Sequence, residues 1–289
     1  MKSLLASLRD RDGGFGLISA LLFMLLISAA ITPLAIAGRV QVLSTAYTHE
    51  RREFEILADG LTRTIYALNR HENAPLRWQR CETERYVFYV DIQDQSGLVD
   101  LNSASPQLLQ FGFRALGLNE TDALTAATLA ERYRSPGGGD ADDISGSPVD
   151  LKHAPFEDVT ELADLIDAEK ISMSQPQRIF TVFNKTDTVA LRHVGGHLRR
   201  IIEEGRGLEF LADGAGHSSV SEVSIVRFRK GRPSGFLFQA MMERAAEEGE
   251  RARMLRRTVS VMEEGDTAIP TETGPCRGVA ELLTRSYDQ

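Results

Sequence analysis

The longest apolar stretch comes first. Phe15 to Gly38 is 24 residues without a charge. Roughly 20 residues, at about 1.5 Å of rise each, span the hydrocarbon core of a bilayer as a helix. Beyond it, apolar residues recur at Val40, Leu43, Tyr47, Phe54, Leu57, Leu61, Ile65 and Leu68. Spacings of three, four or seven define one helix face. Glu50, Arg51, Arg52, Glu53, Glu55, Asp59 and Arg63 lie between them on the other faces. The pattern predicts one helix from Phe15 to about Asn69, on the order of 80 Å long. Its first half suits lipid and its second half suits packing on a soluble domain. Pro33 removes a backbone donor inside the span and predicts a kink there.

After Asn73-Ala74-Pro75 the period changes. Tyr86 to Ile92 is rich in β-branched and aromatic residues and predicts a strand, followed by a turn at Gln93–Gly97. Ser105 is a good N-cap and Pro106 a good first helical residue, which predicts helices at about 106–116 and 120–134, the second capped by Asn119. Ser135 to Asp143 is a Gly-rich loop. Helical character returns at Glu161–Ala168 and at Ser174–Phe180, with a weak strand over Arg178–Phe183. Val220–Arg229 alternates cleanly, Gly231–Gly235 is a turn, Phe236–Met242 is its partner strand, and Arg256–Met262 is a last strand. Glu243–Arg253 fits a long hairpin loop or a short helix, and Val279–Leu283 is a short amphipathic stretch. No internal repeat is present.

Composition limits the function classes. The 289 residues, 42% of them hydrophobic, suffice for one large or two small domains behind the anchor. The formal charge is −8. That sign argues against nonspecific nucleic-acid binding, which needs basic surface to neutralise phosphates. The helix pair after Asn102 resembles helix–hairpin–helix units, yet residues 100–155 hold four basic and eight acidic side chains, so the pair reads as a protein-interaction scaffold. No G-x-S-x-G, P-loop or C-x-x-C motif occurs. The chain is read as a non-enzyme.

The segment ahead of the apolar span adds direction. Lys2, Arg9 and Arg11 outnumber Asp10 and Asp12, which favours a cytoplasmic N-terminus and an exported C-terminal part. Gly13-Gly14-Phe15 stands at the start of the span. An ordinary secretory signal, cut near Ala35-Ile36-Ala37 or Ala37-Gly38, remains open, although the span exceeds a typical signal core. Small residues followed by Phe ahead of an apolar run resemble the prepilin leader of the type IV pilin and pseudopilin superfamily. That resemblance implies cleavage by a prepilin peptidase between Gly14 and Phe15, and methylation of the new N-terminus.

Gly97-Leu98-Val99-Asp100-Leu101-Asn102-Ser103-Ala104-Ser105-Pro106 and Phe156-Glu157-Asp158-Val159-Thr160-Glu161-Leu162 sharpen it. They resemble the segments that open and continue the inserted helical domain of type II secretion minor pseudopilins of the K type. Asp100 stands where Asn is commoner, and Ser103 where Thr is. The fifth residue from Phe15 is Ser19, where most of the superfamily carries Glu; the K type lacks it, which suits a filament tip. The resemblance implies an α+β fold: a long N-terminal transmembrane and amphipathic helix, and a pilin-like antiparallel sheet with an inserted α-helical domain. Expected segments are a leader at 1–14, a transmembrane helix at 15–38, the periplasmic part of the helix at 39–72, a strand region at 73–99, the insert at 100–183, and C-terminal strands and tail at 184–289. The region after Phe183 is short for a full K-type insert.

The implied protein is a structural minor pseudopilin. It sits in the inner membrane as a single-pass protein with a periplasmic C-terminal domain. Its partners are other minor pseudopilins in a tip complex, the prepilin peptidase, the membrane and secreted substrates, and no nucleic acid. A type IV pilus minor pilin, or a periplasmic binding or enzymatic domain on an uncut signal anchor, are the alternatives. No cofactor is certain from the sequence. Calcium is the candidate metal because K-type members bind it, and Asp140, Asp142, Asp143 and Asp150 lie in one loop. The same loop also reads as a solvated acidic segment, since its spacing is not an EF-hand. His193 and His197 are four apart, but Gly195-Gly196 between them disfavours a rigid zinc-binding helix. Cys81 and Cys276 both lie on the exported side, where a disulfide is permitted; a bridge and two thiols both remain open.

Overall fold

In the computed structural model the residues described are 12–69, 78–135, 152–166, 176–203, 207–212, 218–244, 252–263 and 273–276. The chain divides into two units, Met1–Ile56 and Leu57–Gln289.

Helix α1 runs over Asp12–Asn69 with Pro33 inside it. Along its uncharged stretch in the first unit the apolar side chains Leu17, Leu21, Phe23, Leu25 and Ile36 are exposed. This is a helix long and apolar enough to cross a membrane. The helix starts three residues before the expected Phe15, so the Gly13-Gly14-Phe15 junction is helical.

Within the second unit the end of α1 turns apolar on one side only. Ala58, Leu61, Ile65 and Tyr66 are buried, at the spacing that the periodicity required. The strands in chain order are β1 (Gln79–Glu82), β2 (Tyr86–Asp94), β3 (Val99–Asp100), β4 (Phe180–Thr181), β5 (Val189–Ala190), β6 (Leu211–Ala212), β7 (Val220–Arg229), β8 (Ser234–Glu243), β9 (Arg253–Glu263) and β10 (Gly274–Pro275). Six of them form the main sheet in the order β10-β1-β2-β7-β8-β9. All its pairings are antiparallel except β1 with β10. One face of the sheet buries Phe88 and Val90 of β2, Val223 and Ile225 of β7, and Phe238 of β8. Alternation in each strand puts these residues on a common side. β9 carries a bulge, its register against β8 shifting between Met241 and Met242.

The chain leaves this sheet at Asp94 and returns at Val220, which pair within one register: Asp94 opposes Ser221. Between them stands the helical insert. Helix α2 (Pro106–Ala115) begins at Ser105, whose hydroxyl accepts from the Leu108 N–H at 3.3 Å, with Pro106 at the first helical position. It ends at Gly117, whose φ of +96° gives the left-handed residue that closes a helix. Helix α3 (Glu120–Arg134) begins at Asn119, whose side chain accepts from the Asp122 N–H at 2.9 Å. Ala123, Ala126, Ala127 and Ala130 form its buried face. Small side chains there let α3 approach the apolar face of α2, where Leu108, Leu109 and Phe113 are fully buried.

The insert's core continues past residue 183, where sequence reading ended it. Val189, Val194, Leu198 and Ile202 join the same cluster. Helix α4 (Gly196–Glu203) starts at the glycine pair that had been read as a helix breaker. At a first helical turn a glycine costs far less than in the interior, because the backbone there is not yet committed on both sides. The expected helical stretches at 161–168 and 174–180 are, over their described residues, short 3-10 turns at Val159–Asp164 and Pro176–Arg178. Two-residue ladders, β3 with β4 and β5 with β6, stitch these loops together.

Candidate functional site

Three regions were marked by sequence: the N-terminal junction, the segment opening the insert, and the acidic and cysteine sites. Gly14 and Phe15 lie in the first turns of α1. Ser19, four residues on, donates its hydroxyl to the Gly16 carbonyl at 3.0 Å. The side chain therefore folds back on its own helix, a common way for a hydroxyl to be satisfied away from water. A glutamate at this position would carry a charge into the apolar segment, at a cost of several kcal/mol unless partnered.

The segment opening the insert is a network of side chains bonded to distant backbone. Asp94 ends β2, and one carboxylate oxygen accepts from the Ser96 N–H (2.9 Å), the Ser96 hydroxyl (2.7 Å) and the Ser218 N–H (3.1 Å). Exit and return strands are thus held by one buried carboxylate. Beside it, Gln93 donates to the His193 carbonyl at 2.9 Å. Gly97 passes so close to that carbonyl that a Cβ would lie 1.9 Å from the oxygen. Asp100 accepts three backbone N–H groups: Asn102 (2.8 Å) and Ser103 (2.9 Å) on one oxygen, Lys185 (2.9 Å) on the other. Both oxygens are used, which an Asn could not match, since its amide nitrogen only donates.

Asn102 reads the backbone of Phe156 in both directions, donating to its carbonyl at 2.9 Å and accepting from its N–H at 2.7 Å. Arg134, at the end of α3, donates to the carbonyls of Leu101 and Ala104 at 2.8 and 2.6 Å. Asn184 donates to Leu98 and Thr188, and Thr181 to the Gln95 side chain. The two segments that carry the family resemblance, 97–106 and 156–162, therefore meet through Asn102 and Phe156. Their conspicuous polar residues satisfy buried backbone groups, an obligation of any loop that enters a core. Sequence reading had not singled out Gln93, Asp94, Arg134 or Asn184. Only Asp94-Gln95-Ser96, an Asx-turn pattern, carried a local signal.

Charge pairs join the elements further. Asp59 of α1 accepts from Arg63 and, at 3.0 Å, from Arg257 of β9. Partial burial would raise its pKa, but the hydrogen bonds and charges of the two guanidinium groups outweigh that and hold it below the usual carboxylate range. Arg256 of β9 pairs with Asp158, which caps the 3-10 turn of the insert. Tyr133 donates to Glu161 at 2.9 Å. Burial first, then that bond and the nearby negative charge, push the phenol up to about 12.

Cys81 and Cys276 form a disulfide, with Cα atoms 4.7 Å apart. His193 closes a 3-10 turn and His197 lies in α4, so the two do not share a helix. Asp140, Asp142, Asp143 and Asp150 lie outside the described residues. Among the described residues no group of three or more His, Cys, Asp or Glu is placed to hold a metal ion.

No family profile matches the chain, and no curated protein matches it. Among solved structures it is similar to a chain of the GspK-GspI-GspJ complex of the type 2 secretion system from enterotoxigenic Escherichia coli. The identity is 9%, 76% of this chain and 99% of that one are covered, and the TM-score is 0.48.

Proposed function

We propose that the chain is a structural, non-enzymatic subunit of a periplasmic filament, of the minor pseudopilin type and the K class. In this reading Phe15–Gly38 anchors it in the inner membrane after cleavage behind Gly14. The folded part faces the periplasm, and the insert crowns the end of a pseudopilus that supports protein export. Helices of neighbouring subunits associate in lipid by close packing, and the breadth of the insert excludes a further subunit above. Its partners are other minor pseudopilins, and the prepilin peptidase processes it. Ser19 in place of a glutamate suits a subunit that has no neighbour's N-terminus to neutralise.

The observation that carries the reading is α1 itself. One helix of 58 residues carries a Gly-Phe junction in its first turn, runs through an uncharged stretch, and ends with a buried face in a domain whose antiparallel sheet is interrupted by a helical insert. An anchored enzyme has no need of that continuity.

Mass spectrometry of the N-terminus, in a host with the export machinery, tests the reading. A chain that begins at methylated Phe15, and a Gly14→Leu variant that stays uncut and stops secretion, are expected. An intact Met1 in the wild-type protein, or normal processing and secretion in the variant, would overturn it.

A further inference from the structure

The two edges of the main sheet are built differently. At one end β9 is eleven residues long. At the other, β1 has four residues and is covered by β10, which has two. The register is parallel, Gln79 beside Gly274 and Arg80 beside Pro275. At the start of this cover the Gly274 N–H donates to the Trp78 carbonyl at 3.0 Å. Pro275 has no N–H to give. Ordering so short a strap costs backbone entropy that its few hydrogen bonds offset only in part. A strap of two residues gains little from its own pairing, so a further tether decides whether it stays. The next residue, Cys276, is bonded to Cys81 in the middle of β1.

Trp78 marks the same spot. It is the chain's one tryptophan, and its φ of +27° is a conformation that few residues with a side chain adopt. It is pinned on both sides: its N–H donates to Asp91 at 3.1 Å and its carbonyl accepts from the strap. Backbone strain of this kind persists only where neighbours impose it. Accessibility is graded along the bridge, because Cys81 is fully buried while Cys276 is half-buried.

We propose that the Cys81–Cys276 disulfide is a redox latch that keeps the β1 edge closed. A thiolate of a dithiol reductant attacks Cys276 Sγ, forming a mixed disulfide and displacing the Cys81 thiolate, which takes a proton from water. The second thiol of the reductant then displaces Cys276, and the reductant leaves as its own disulfide with two electrons transferred. With the latch open, the strap leaves, Trp78 relaxes, and the outer N–H and C=O groups of Gln79–Glu82 become available for strand addition. The rest of the sheet keeps its pairing. This latch is independent of the pseudopilin reading.

Hydrogen exchange by mass spectrometry on the full chain in detergent, before and after dithiothreitol, tests it, with Trp78 fluorescence recorded in parallel. Exchange at residues 78–82 should rise about tenfold or more, with a red shift of the emission, while β7, β8 and β9 stay within about twofold. Cys276→Ser should show the open pattern without reductant and no further change with it. Unchanged exchange at 78–82 after reduction, or a Cys276→Ser chain that exchanges like the oxidised wild type, would mean that the strap holds itself. An equal rise across β7–β9 would mean that the disulfide staples the whole fold and is no latch.

Discussion

Gly97→Ala places one methyl group at the neck between sheet and insert. The new Cβ would meet His193 O at 1.9 Å, His193 C at 2.3 Å and Val194 N at 2.9 Å. All three are backbone atoms, so no side chain can rotate out of the way. Reaching ordinary contact requires a displacement of roughly 1.5 Å, and overpacking of this kind costs about 1–3 kcal/mol. The same shift pulls the His193 carbonyl from the Gln93 amide, now at 2.9 Å, which adds about 1 kcal/mol. A loss of about 2–4 kcal/mol is expected, or a fall of about 5–15 °C in Tm. Gly60→Ala is the matched control. Gly60 sits on the exposed side of α1 with nothing within 4 Å of its would-be Cβ, so the change should be neutral or stabilise by up to about 1 kcal/mol. Circular dichroism melts and urea titrations of the full chain in detergent measure both. A Gly97→Ala chain within about 0.5 kcal/mol of wild type would refute the close approach at the neck.

Asn102→Ala removes both bonds to Phe156 and leaves that residue's buried N–H and C=O unpaired, so urea unfolding should register a loss of about 2–4 kcal/mol; a neutral variant would show that water replaces the side chain. Asp100→Asn keeps an acceptor for Asn102 and Ser103 but turns an amide donor toward the Lys185 N–H. A loss of about 1–3 kcal/mol is expected there, and an unchanged midpoint would count against the three-way acceptor. Asp59 is held low by Arg63 and Arg257, so its contribution is full above the unfolded carboxylate pKa and is lost as pH falls through the lower folded one. The stability gap between wild type and Asp59→Asn should therefore be level above about pH 5 and close below about pH 4; a gap that grows on acidification would contradict the pairing.

Elements with many repeats of their own period were legible in the sequence. Helix α1 shows its face through eight apolar positions, and β7, β8 and β9 are ten or eleven residues long. Ser105 and Asn119 announced α2 and α3 because a cap is a local event between residues three apart. Short elements carried no such signal. β1 reads Gln-Arg-Cys-Glu, four residues without alternation, and β10 and the two small ladders span two residues each. Their existence depends on partners brought in from elsewhere. The neck was illegible for the same reason: Asp94 meets Ser218 across 124 residues and Gln93 meets His193 across 100. A polar residue in a loop does not say which backbone group it will satisfy.

The residues that made the chain look familiar do a different job from the one that a functional motif performs. The side chains of Asp100 and Asn102 bind backbone, the N–H groups of Asn102, Ser103 and Lys185 and both backbone groups of Phe156, and these bonds tie the loops of the insert together. A likeness carried by such residues reports an architecture, because any chain that must turn a strand into a buried helical insert meets the same unsatisfied N–H and C=O groups. In the proposed function the task of assembly rests elsewhere, on Gly14, Phe15 and Ser19, which belong to the first unit, while the neck belongs to the second. The two are therefore separable. On that proposal a chain weakened by Asn102→Ala should still be cut behind Gly14, because a peptidase that meets only the junction is indifferent to the insert, and yet fail in any task that requires the insert. Loss of cutting together with loss of the insert would mean that the folded part presents the junction, and the division of labour between leader and crown would have to be abandoned.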